Sequence, residues 1–532
     1  MPIKVIKRKK NKSDKVNTPT SSAMIAPTAT SLYNKLEDNI SLFSALFSDC
    51  SDVIFRRFQI GKDNPLPAAI IYVDGLVNRQ SVDLEIMEPL MYFTRIDQKD
   101  TMSNIDIEII KQLNITVGEI KEDQNVMSIV NAILSGDTAM FIDNFPIALI
   151  LNSRGWENRG IQEPTTENVI RGPKEGFTET VRFNTALLRR RIKDPKLKIK
   201  GFKLGKRTKT DVVIAYMDDI VNKTLLQEVE KRLNTIDTDA IFESGYIEQF
   251  IEDSPFSPFP QMQTTERPDK VAGNLLEGRV AILVDGTPMA LIAPATFAQL
   301  YQSPEDYYER AIFGTAVRLI RLLGLFLATS LPSFYVAVLT YHHEMIPTQL
   351  VLALARSRMG VPFPAILEAL LMEGVIEILR EATTRLPGTI GQTIGIIGTL
   401  VIGQAAVAAK LVSPAMIIIV AITAIGAYIT PNYSTTYSIR FIRFPLMLAA
   451  AFFGVFGIAA MWLFIIIHLA GLESFGIPYL APVAPLKLSD IKDTIVRLPL
   501  WAMKKRPMIP ENRNLIRQGS STVASSRRRT KW

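Results

Sequence analysis

The sequence predicts a soluble α/β N-terminal domain of two duplicated subdomains, an α-helical transmembrane domain of about four to five spans, and a basic C-terminal tail. Three observations carry this. Gly388 to Gly471 contains no Asp or Glu, and only Lys410, Arg440 and Arg443 bear a full charge. Two motifs recur at nearly one spacing ahead of that stretch. Lys and Arg accumulate after it, from Lys487 through Lys504, Lys505 and Arg506 to the Arg527–Arg529 cluster.

The net charge of +8 collects at the two ends of the 532 residues. A single cysteine, Cys50, excludes an intrachain disulfide, offers no zinc pattern and fits a reducing compartment. The basic start Lys4–Lys12 runs into Ser, Thr and Pro instead of an apolar core, so it does not read as a signal peptide. The soluble part is therefore expected on the cytoplasmic side. Residues 1–30 cannot bury a core and are expected to be a disordered basic tail, solubilising or in touch with anionic lipid.

Residues 31–188 and 189–302 are the expected subdomains. Ala69-Ile-Ile-Tyr72-Val-Asp74-Gly-Leu-Val77-Asn78-Arg79 returns 144 residues later as Val213-Ile-Ala-Tyr216-Met-Asp218-Asp-Ile-Val221-Asn222-Lys223. Gly136-Asp-Thr-Ala139 through Asp143, Pro146 and Ile150 returns 142 residues later as Gly278-Arg-Val-Ala281 through Asp285, Pro288 and Ile292. Two matches at one spacing argue for duplication. Each copy opens with a strand ending at Asp74 or Asp218, continues with a charged helix, and closes as strand, turn, strand. The turn aspartates suit backbone hydrogen bonding better than catalysis.

Between the copies, Glu163–Glu179 is a loop rich in Gly and Pro that feeds the basic run Arg189-Arg190-Arg191. Arg171 and this triplet suit ion pairs with the loop glutamates or a contact between subunits. Nucleic acid is not expected, because no aromatic platform, zinc pattern or helix-turn-helix accompanies them. Pro255-Phe-Ser-Pro258-Phe-Pro260 reads as a rigid turn or linker.

Residues 303–470 form the expected helical membrane domain, with 471–532 as a basic cytoplasmic tail. Ser303-Pro304-Glu305-Asp306 has the signature of a helix start that would run past Arg310. Spans are expected at about 322–341, 388–409, 411–430 and 445–468, each near the 20 apolar residues a bilayer core requires. Pro332 inside the first span needs a neighbour to satisfy the carbonyl it frees. Gly391, Gly395, Gly398 and Gly403 suit close packing of helices, or a hinge. A basic tail and a cytoplasmic domain call for an even number of crossings, which would leave Arg440 and Arg443 outside, against the positive-inside rule.

Residues 361–385 form an amphipathic or re-entrant helix. Glu373, Glu377, Arg380 and Glu381 share one face at 100° per residue, with Glu368 nearly opposite Glu377. Charge at membrane depth usually faces a bundle interior or a water path. Two readings stand: a pore-lining or gating element, and an interfacial helix whose Glu/Arg pairs hold neighbouring subunits. The adjacent His342 and His343 suit loop polarity, and His468 a membrane interface.

Several of these runs resemble the A subunit of spore germinant receptors of the GerA type (spore germination protein A/KA-like). They include Pro362-Phe-Pro-Ala-Ile-Leu-Glu368, Met372-Glu373, Glu377-Ile-Leu-Arg380-Glu381-Ala, Arg385-Leu-Pro387, Gly395-Ile-Ile-Gly398, Val401-Ile-Gly-Gln404, Arg171-Gly-Pro-Lys-Glu-Gly-Phe177 and Pro431-Asn432-Tyr433. The likeness covers about 35 to 510. It implies a multi-pass protein of the spore inner membrane or cell membrane. Its implied partners are a transporter-like B subunit, a lipoprotein C subunit, copies of itself and membrane lipid. It further implies nutrient-triggered germination through an ion channel, with no cofactor. Glu368, Glu373, Glu377 and Arg380 are then the pore or gating candidates, and Arg171, Arg189, Arg190 and Arg191 the subunit-contact candidates. A membrane scaffold without its own pore and a substrate carrier are the alternatives. An enzyme finds no support in any nucleophile motif, phosphate loop or metal pattern.

Overall fold

The computed structural model describes residues 31–60, 66–91, 120–155, 163–164, 167–385, 401–507 and 512–519. Helix α1 (Leu36–Leu46) leads into a five-stranded antiparallel sheet of β1 (Val53–Ile60), β2 (Leu66–Val73), β3 (Ile120–Asp123), β4 (Thr138–Ile142) and β5 (Ala148–Leu151), with α2 (Val126–Ile133) before β4. Helix α3 (Val181–Arg191) leads into a second sheet of β6 (Leu197–Leu204), β7 (Thr210–Met217), β8 (Gln263–Thr265), β9 (Val280–Val284) and β10 (Ala290–Ala293). Helices α4 (Lys223–Asn234), α5 (Ser244–Ile251) and α6 (Pro268–Leu275) lie between its strands. The strand orders correspond: β1-β2-β4-β5-β3 and β6-β7-β9-β10-β8.

The central strands are uniformly apolar because each sheet is covered on both faces. Side chains alternate along a strand. Ala69, Ile71 and Val73 join one core with α1 and α2, while Ala68, Ile70 and Tyr72 join another with Val82, Ile86 and Leu90. In the second sheet, Val213, Ala215 and Met217 face α3 and α6, while Val212, Ile214 and Tyr216 face α4 and α5.

Polar details repeat as well. The Asp143 carboxylate accepts from Leu36 N at 2.9 Å, and Asp285 accepts from Val181 N at 3.0 Å. Each turn aspartate thus holds the first turn of its unit's leading helix. Asn39 closes a two-way bridge to the backbone of Tyr33, and Asn184 does the same to Thr178. Helix α3 therefore leads the second unit as α1 leads the first, and the expected boundary at 188/189 falls inside it.

The two units are joined through α3. Arg189 is fully buried and donates to both oxygens of the equally buried Asp52 at 2.7 and 2.9 Å, and to Leu197 O at 2.9 Å. Burial works against the guanidinium charge, but Asp52 holds it protonated. Burial also pushes the neighbouring Cys50 thiol up.

The helical half differs from expectation in several places. The helix beginning at Glu305 stops at Tyr308, and Arg310 is extended (φ −67°, ψ 142°) before α7 (Ala311–Thr340) begins. Then follow α8 (Thr348–Ser357), α9 (Ala365–Arg385), helical residues 401–408, α10 (Pro414–Tyr428) and α11 (Tyr433–Gly471). Helices α7 and α11 are long and apolar enough to cross a membrane. Most of the expected span 388–409 lies outside the described residues, with Gly391, Gly395 and Gly398. Among the described residues, helices approach closely where a Cβ on Gly426 would come within 2.8 Å of Gly324 O.

The expected span 445–468 is not one helix. Gly454 breaks α11 with φ 59° and ψ −140°, a conformation open to glycine. Contacts with α7 show a reversal of direction. Arg443 meets Ala328, Ala451 and Phe452 meet Tyr341, and Trp462 returns to Ser330 at 3.0 Å. Residues 433–453 and 455–471 are thus an antiparallel hairpin, roughly 31 and 26 Å long at the helical rise. The Tyr341 hydroxyl donates to Ala451 O at 3.0 Å and Phe452 O at 3.2 Å, two carbonyls at the break.

Both ends of the hairpin return to the second sheet unit. Ser438 donates to Pro258 O, Ser257 Oγ lies 3.0 Å from His468 Nε2, and the Tyr479 hydroxyl donates to Pro260 O at 2.7 Å. The Pro255–Pro260 run is therefore a docking loop. The tail is folded onto the same unit. Phe475 N donates to Asp253, Asn512 Nδ2 to Glu277 O, and Arg513 N to Ile220 O.

Removing one member of a buried ion pair leaves an uncompensated charge. Arg189→Ala is expected to cost about 3–5 kcal/mol, read as a lowered unfolding midpoint of the α/β region in the full chain. A loss under about 1 kcal/mol, the range of exposed pairs, would show that this pair does not join the two units.

Candidate functional site: a charged seam inside the helical bundle

Helix α9 starts just after Pro362 and Pro364, and its Ile366, Ala369, Leu370, Met372 and Ile376 pack in one cluster with residues of α7, α10 and α11. Its carboxylates are placed by the 3.6-residue period. Glu368 and Glu373 are almost completely buried. The first half of the helix, which falls in the stretch 361–385 expected to be amphipathic or re-entrant, therefore buries one side in the bundle.

Three carboxylates form a seam along α9, each met by an arginine from another element. Glu368 accepts from Arg358, which follows α8, at 2.9 Å. It also accepts from the N–H of Ser413, the N-cap residue of α10, at 3.0 Å. Ser413 Oγ in turn lies 2.9 Å from the Tyr335 hydroxyl on α7. Glu373 pairs with Arg443 and accepts from Thr423 Oγ1 at 3.2 Å. Glu377 pairs with Arg440, whose Nε lies 2.9 Å away, and with Arg380 at 3.4 Å. Arg380 stacks over Tyr428 at 5.2 Å, and Arg440 over Tyr437 at 5.0 Å. From Glu368 to Arg380 the seam spans about 18 Å of helix.

The pairing order is inverted: 373 meets 443 and 377 meets 440. That inversion follows from α9 running antiparallel to residues 433–453. Arg440 and Arg443 sit within that helix and not in a loop between the expected spans 411–430 and 445–468, and Arg443 is buried. Arg443 has a second task. Its Nε donates to Ala328 O at 2.8 Å. Pro332 lacks the N–H that would occupy this carbonyl in a regular helix. One guanidinium therefore neutralises Glu373 and satisfies the proline-freed carbonyl of α7.

Chemically, the seam is a lock. In this arrangement each of the three carboxylates is compensated within the chain. Polar capacity left over is cationic: Arg443 Nη2 and Arg380 Nε and Nη2 are buried without a hydrogen-bond partner. Glu381 is set apart from the seam, exposed and paired with Arg385 at 2.6 Å.

The subunit-contact candidates divide. Arg190 and Arg191 pair with Glu175 at 3.3 and 3.0 Å, and Arg171 lies 3.5 Å from Glu309 while two-thirds exposed. Arg189 is withdrawn as a contact residue, because its side chain is buried against Asp52 and offers a second subunit no surface.

Sequence reasoning did not assign Arg358, Thr423, Arg440 or Arg443 to the seam. A signal was present. A stretch of 84 residues with Arg440 and Arg443 and no acid requires carboxylates from elsewhere, and Glu373/Glu377, four apart, and Arg440/Arg443, three apart, each fall on one face of a helix. Asp306 was also unassigned. It is buried at the base of α7 and accepts from Arg318 at 3.1 Å and Arg321 at 2.7 Å. Arg318 continues to Asp493 at 3.1 Å, tying the tail to α7.

A family model described as Bacillus/Clostridium GerA spore germination protein matches residues 41–509. The chain belongs to the GerA family. Among its relatives, spore germination protein KA of Bacillus subtilis is 44% identical over 91% of this chain and 88% of its own length. The uncharacterized membrane protein YfkQ of the same organism is 46% identical over 89% and 90%. Spore germination protein GerLA of Bacillus cereus is 42% identical over 82% and 88%. The N-terminal domain of the A subunit of the Bacillus megaterium germinant receptor GerK3 aligns with 51% of this chain and 98% of its own, at 39% identity and a TM-score of 0.40.

In this GerA-family chain the seam yields a double-mutant test. Arg443→Leu alone strands Glu373 and is expected to destabilise the bundle by about 3–5 kcal/mol. Glu373→Leu with Arg443→Leu should recover much of that loss, leaving the unsatisfied Ala328 carbonyl. Thermal denaturation in detergent measures both. Equal losses for the single and double variants would show that the two groups are not coupled.

Proposed function

We propose that this chain is the A subunit of a nutrient germinant receptor in the spore inner membrane. In this reading it assembles with copies of itself, a transporter-like B subunit and a lipoprotein C subunit, and forms a nutrient-gated ion channel. Support for the receptor role comes from family membership and from relatives named as spore germination proteins. Support for the gating role comes from one observation above the others: the Glu373–Arg443 pair, buried at the meeting of α7, α9, α10 and residues 433–453.

The topology we propose has an even number of passes, with α7, α9, α10 and the two halves of α11 among them. An even count places the α/β region and the tail together, on the cytoplasmic side. The matching strand orders are taken as the trace of an internal duplication. In the closed state the carboxylates Glu368, Glu373 and Glu377 stay locked to arginines. Nutrient binding elsewhere in the receptor shifts α9 against residues 433–453 and frees them to line a cation path, with Arg380 at its end. A ligand can move such an equilibrium only through its differential affinity for the two states.

The same pairing favours a second reading, a coupling scaffold without its own pore. A carboxylate matched within one chain needs no ion path to explain it.

Cation leak from vesicles separates the two. Full-length protein reconstituted with the B and C subunits is expected to leak cations when nutrient is added. Glu373→Ala and Glu377→Gln should change that flux several-fold while the complex still assembles. Unchanged flux in a correctly assembled complex would remove these residues from the pore. No nutrient-dependent leak from the complete receptor would leave the scaffold.

A further inference from the structure

The folded tail carries a face that neither the seam nor the α/β cores use. Val483, Leu486, Ile495, Val496, Leu500 and Trp501 are all exposed, Trp501 by 56%. Lysines border them: Lys492, Lys504 and Lys505 are exposed and Lys487 half-buried. The backbone beneath is held firmly. Arg497 N donates to Thr315 Oγ1 at 3.1 Å, and Arg497 Nη2 to Tyr307 O at 3.0 Å. Arg318 donates to Asp493 O at 2.7 Å, and Gln302 Nε2 to the same carbonyl at 2.6 Å. Residues 493–497 thus lie alongside Gly314–Arg318, the first two turns of α7.

The height of this face follows from helix length. The 30 residues of α7 extend for about 45 Å, while a hydrocarbon core is about 30 Å thick. Roughly ten residues must project, and the junction with the sheets puts the projecting end at Ala311 to Ile320. There Ile312 and Phe313 are exposed on α7 itself, 81% and 59%. Ile495 and Val496 of the tail immediately precede Arg497, whose N–H is bonded to Thr315 two residues beyond Phe313. Tryptophan, aliphatic residues and a lysine border at the rim of a spanning bundle match the chemistry of the headgroup zone.

We infer that residues 483–505 form a membrane-surface anchor, with Trp501, Leu500 and Val496 dipping into the headgroup–acyl boundary and the bordering lysines meeting anionic lipid phosphates. The occupant of this apolar face is lipid. It adjoins the exposed apolar base of α7, and the lysines complement an anionic surface. The anchor fixes the tail, and through Asp493 and Arg497 the base of α7, at a set depth. This inference rests on the membrane reading above.

Depth-resolved quenching tests it in the full chain. A Cys50→Ser background carries one new cysteine, at Trp501→Cys or, as a second site, Val496→Cys. Each is labelled with an environment-sensitive fluorophore and reconstituted into vesicles of phosphatidylcholine and phosphatidylglycerol. Arg207→Cys, on the exposed β6–β7 hairpin, supplies the aqueous reference, and Phe464→Cys, on the exposed face of 455–471, the bilayer reference. The expected result is blue-shifted emission at 501 and 496, quenched several-fold more by a nitroxide near the headgroup than by one deep in the acyl chain. Emission matching the aqueous reference at both sites would overturn the anchor. So would a blue shift that neither nitroxide quenches, which would mean that a second copy or another protein covers the face. If Phe464→Cys is quenched while 501 and 496 are not, the anchor alone fails. If Phe464→Cys is also unquenched, the membrane reading fails with it.

Discussion

The helical half depends on what Arg443 does at its two ends. Pro332 leaves a carbonyl open in the middle of α7, and Glu373 brings a carboxylate into the same dry region. Either alone would be costly to bury. Arg443 answers both from a third helix. The geometry is demanding, because a guanidinium donates in a fixed planar fork. Helices α7, α9 and residues 433–453 must therefore hold one rotation and one depth together. Thr423 on α10 adds a fourth helix to the same carboxylate. A bundle whose apolar surfaces alone could slide is given a register by one charged contact.

A second constraint acts at the base. Asp306 receives two arginines of α7, and Asp493 receives one of them along with the Tyr307 hydroxyl at 2.9 Å. Burial raises the pKa of Asp493, against the pull of Arg318. Tyr307 is also covered by the guanidiniums of Arg318 and Arg497, 5.4 and 5.8 Å from its ring. The chain thus enters the bundle and leaves it at one knot. The α/β region, α7 and the tail meet there, and the docking loop at Pro258 and Pro260 fastens the hairpin ends nearby.

How much of this was legible in the sequence depended on whether the cause was local. Strand alternation around Ala69–Val73 and Val213–Met217 is a local property, and the matched motifs exposed the common topology. Along α9, Glu373 and Glu377 meet Arg443 and Arg440 as one helical face allows, whereas Glu381, expected beside them, is exposed and pairs with Arg385, and Glu368 is met separately by Arg358 and Ser413. Partners were not legible, because they are set by packing between helices far apart in sequence. Charge counting put Arg440 and Arg443 in a loop, where their price in a membrane would be low. The structure places them mid-helix because α9 supplies their counterions. The reversal at Gly454 was hidden for another reason. A glycine in an apolar run suits close packing as well as a break, and only the contact with Tyr341 and His342 distinguishes them. The tail reads only as basic by composition, since the carbonyls that hold it, such as those of Glu277 and Ile220, lie hundreds of residues earlier.

Helix α7 carries both constraints. Arg318 and Arg321 bind the knot, Ala328 O binds Arg443, and Tyr335 reaches Ser413 beside Glu368. These points are spaced along one hydrogen-bonded rod, so their separations are fixed at about 1.5 Å per residue. A shift of α7 along its axis by one residue would stretch or misalign all of these contacts together. Small, graded displacements are therefore disfavoured, and the arrangement has few alternatives: fully engaged, or released at the seam while the base holds. A displacement of the base along the axis of α7 would be carried to the seam through the backbone of one helix. That gives a physical reason for a tail folded onto the α/β region to be tied to α7 and not to the hairpin, which carries the arginines but only touches the sheets at its ends.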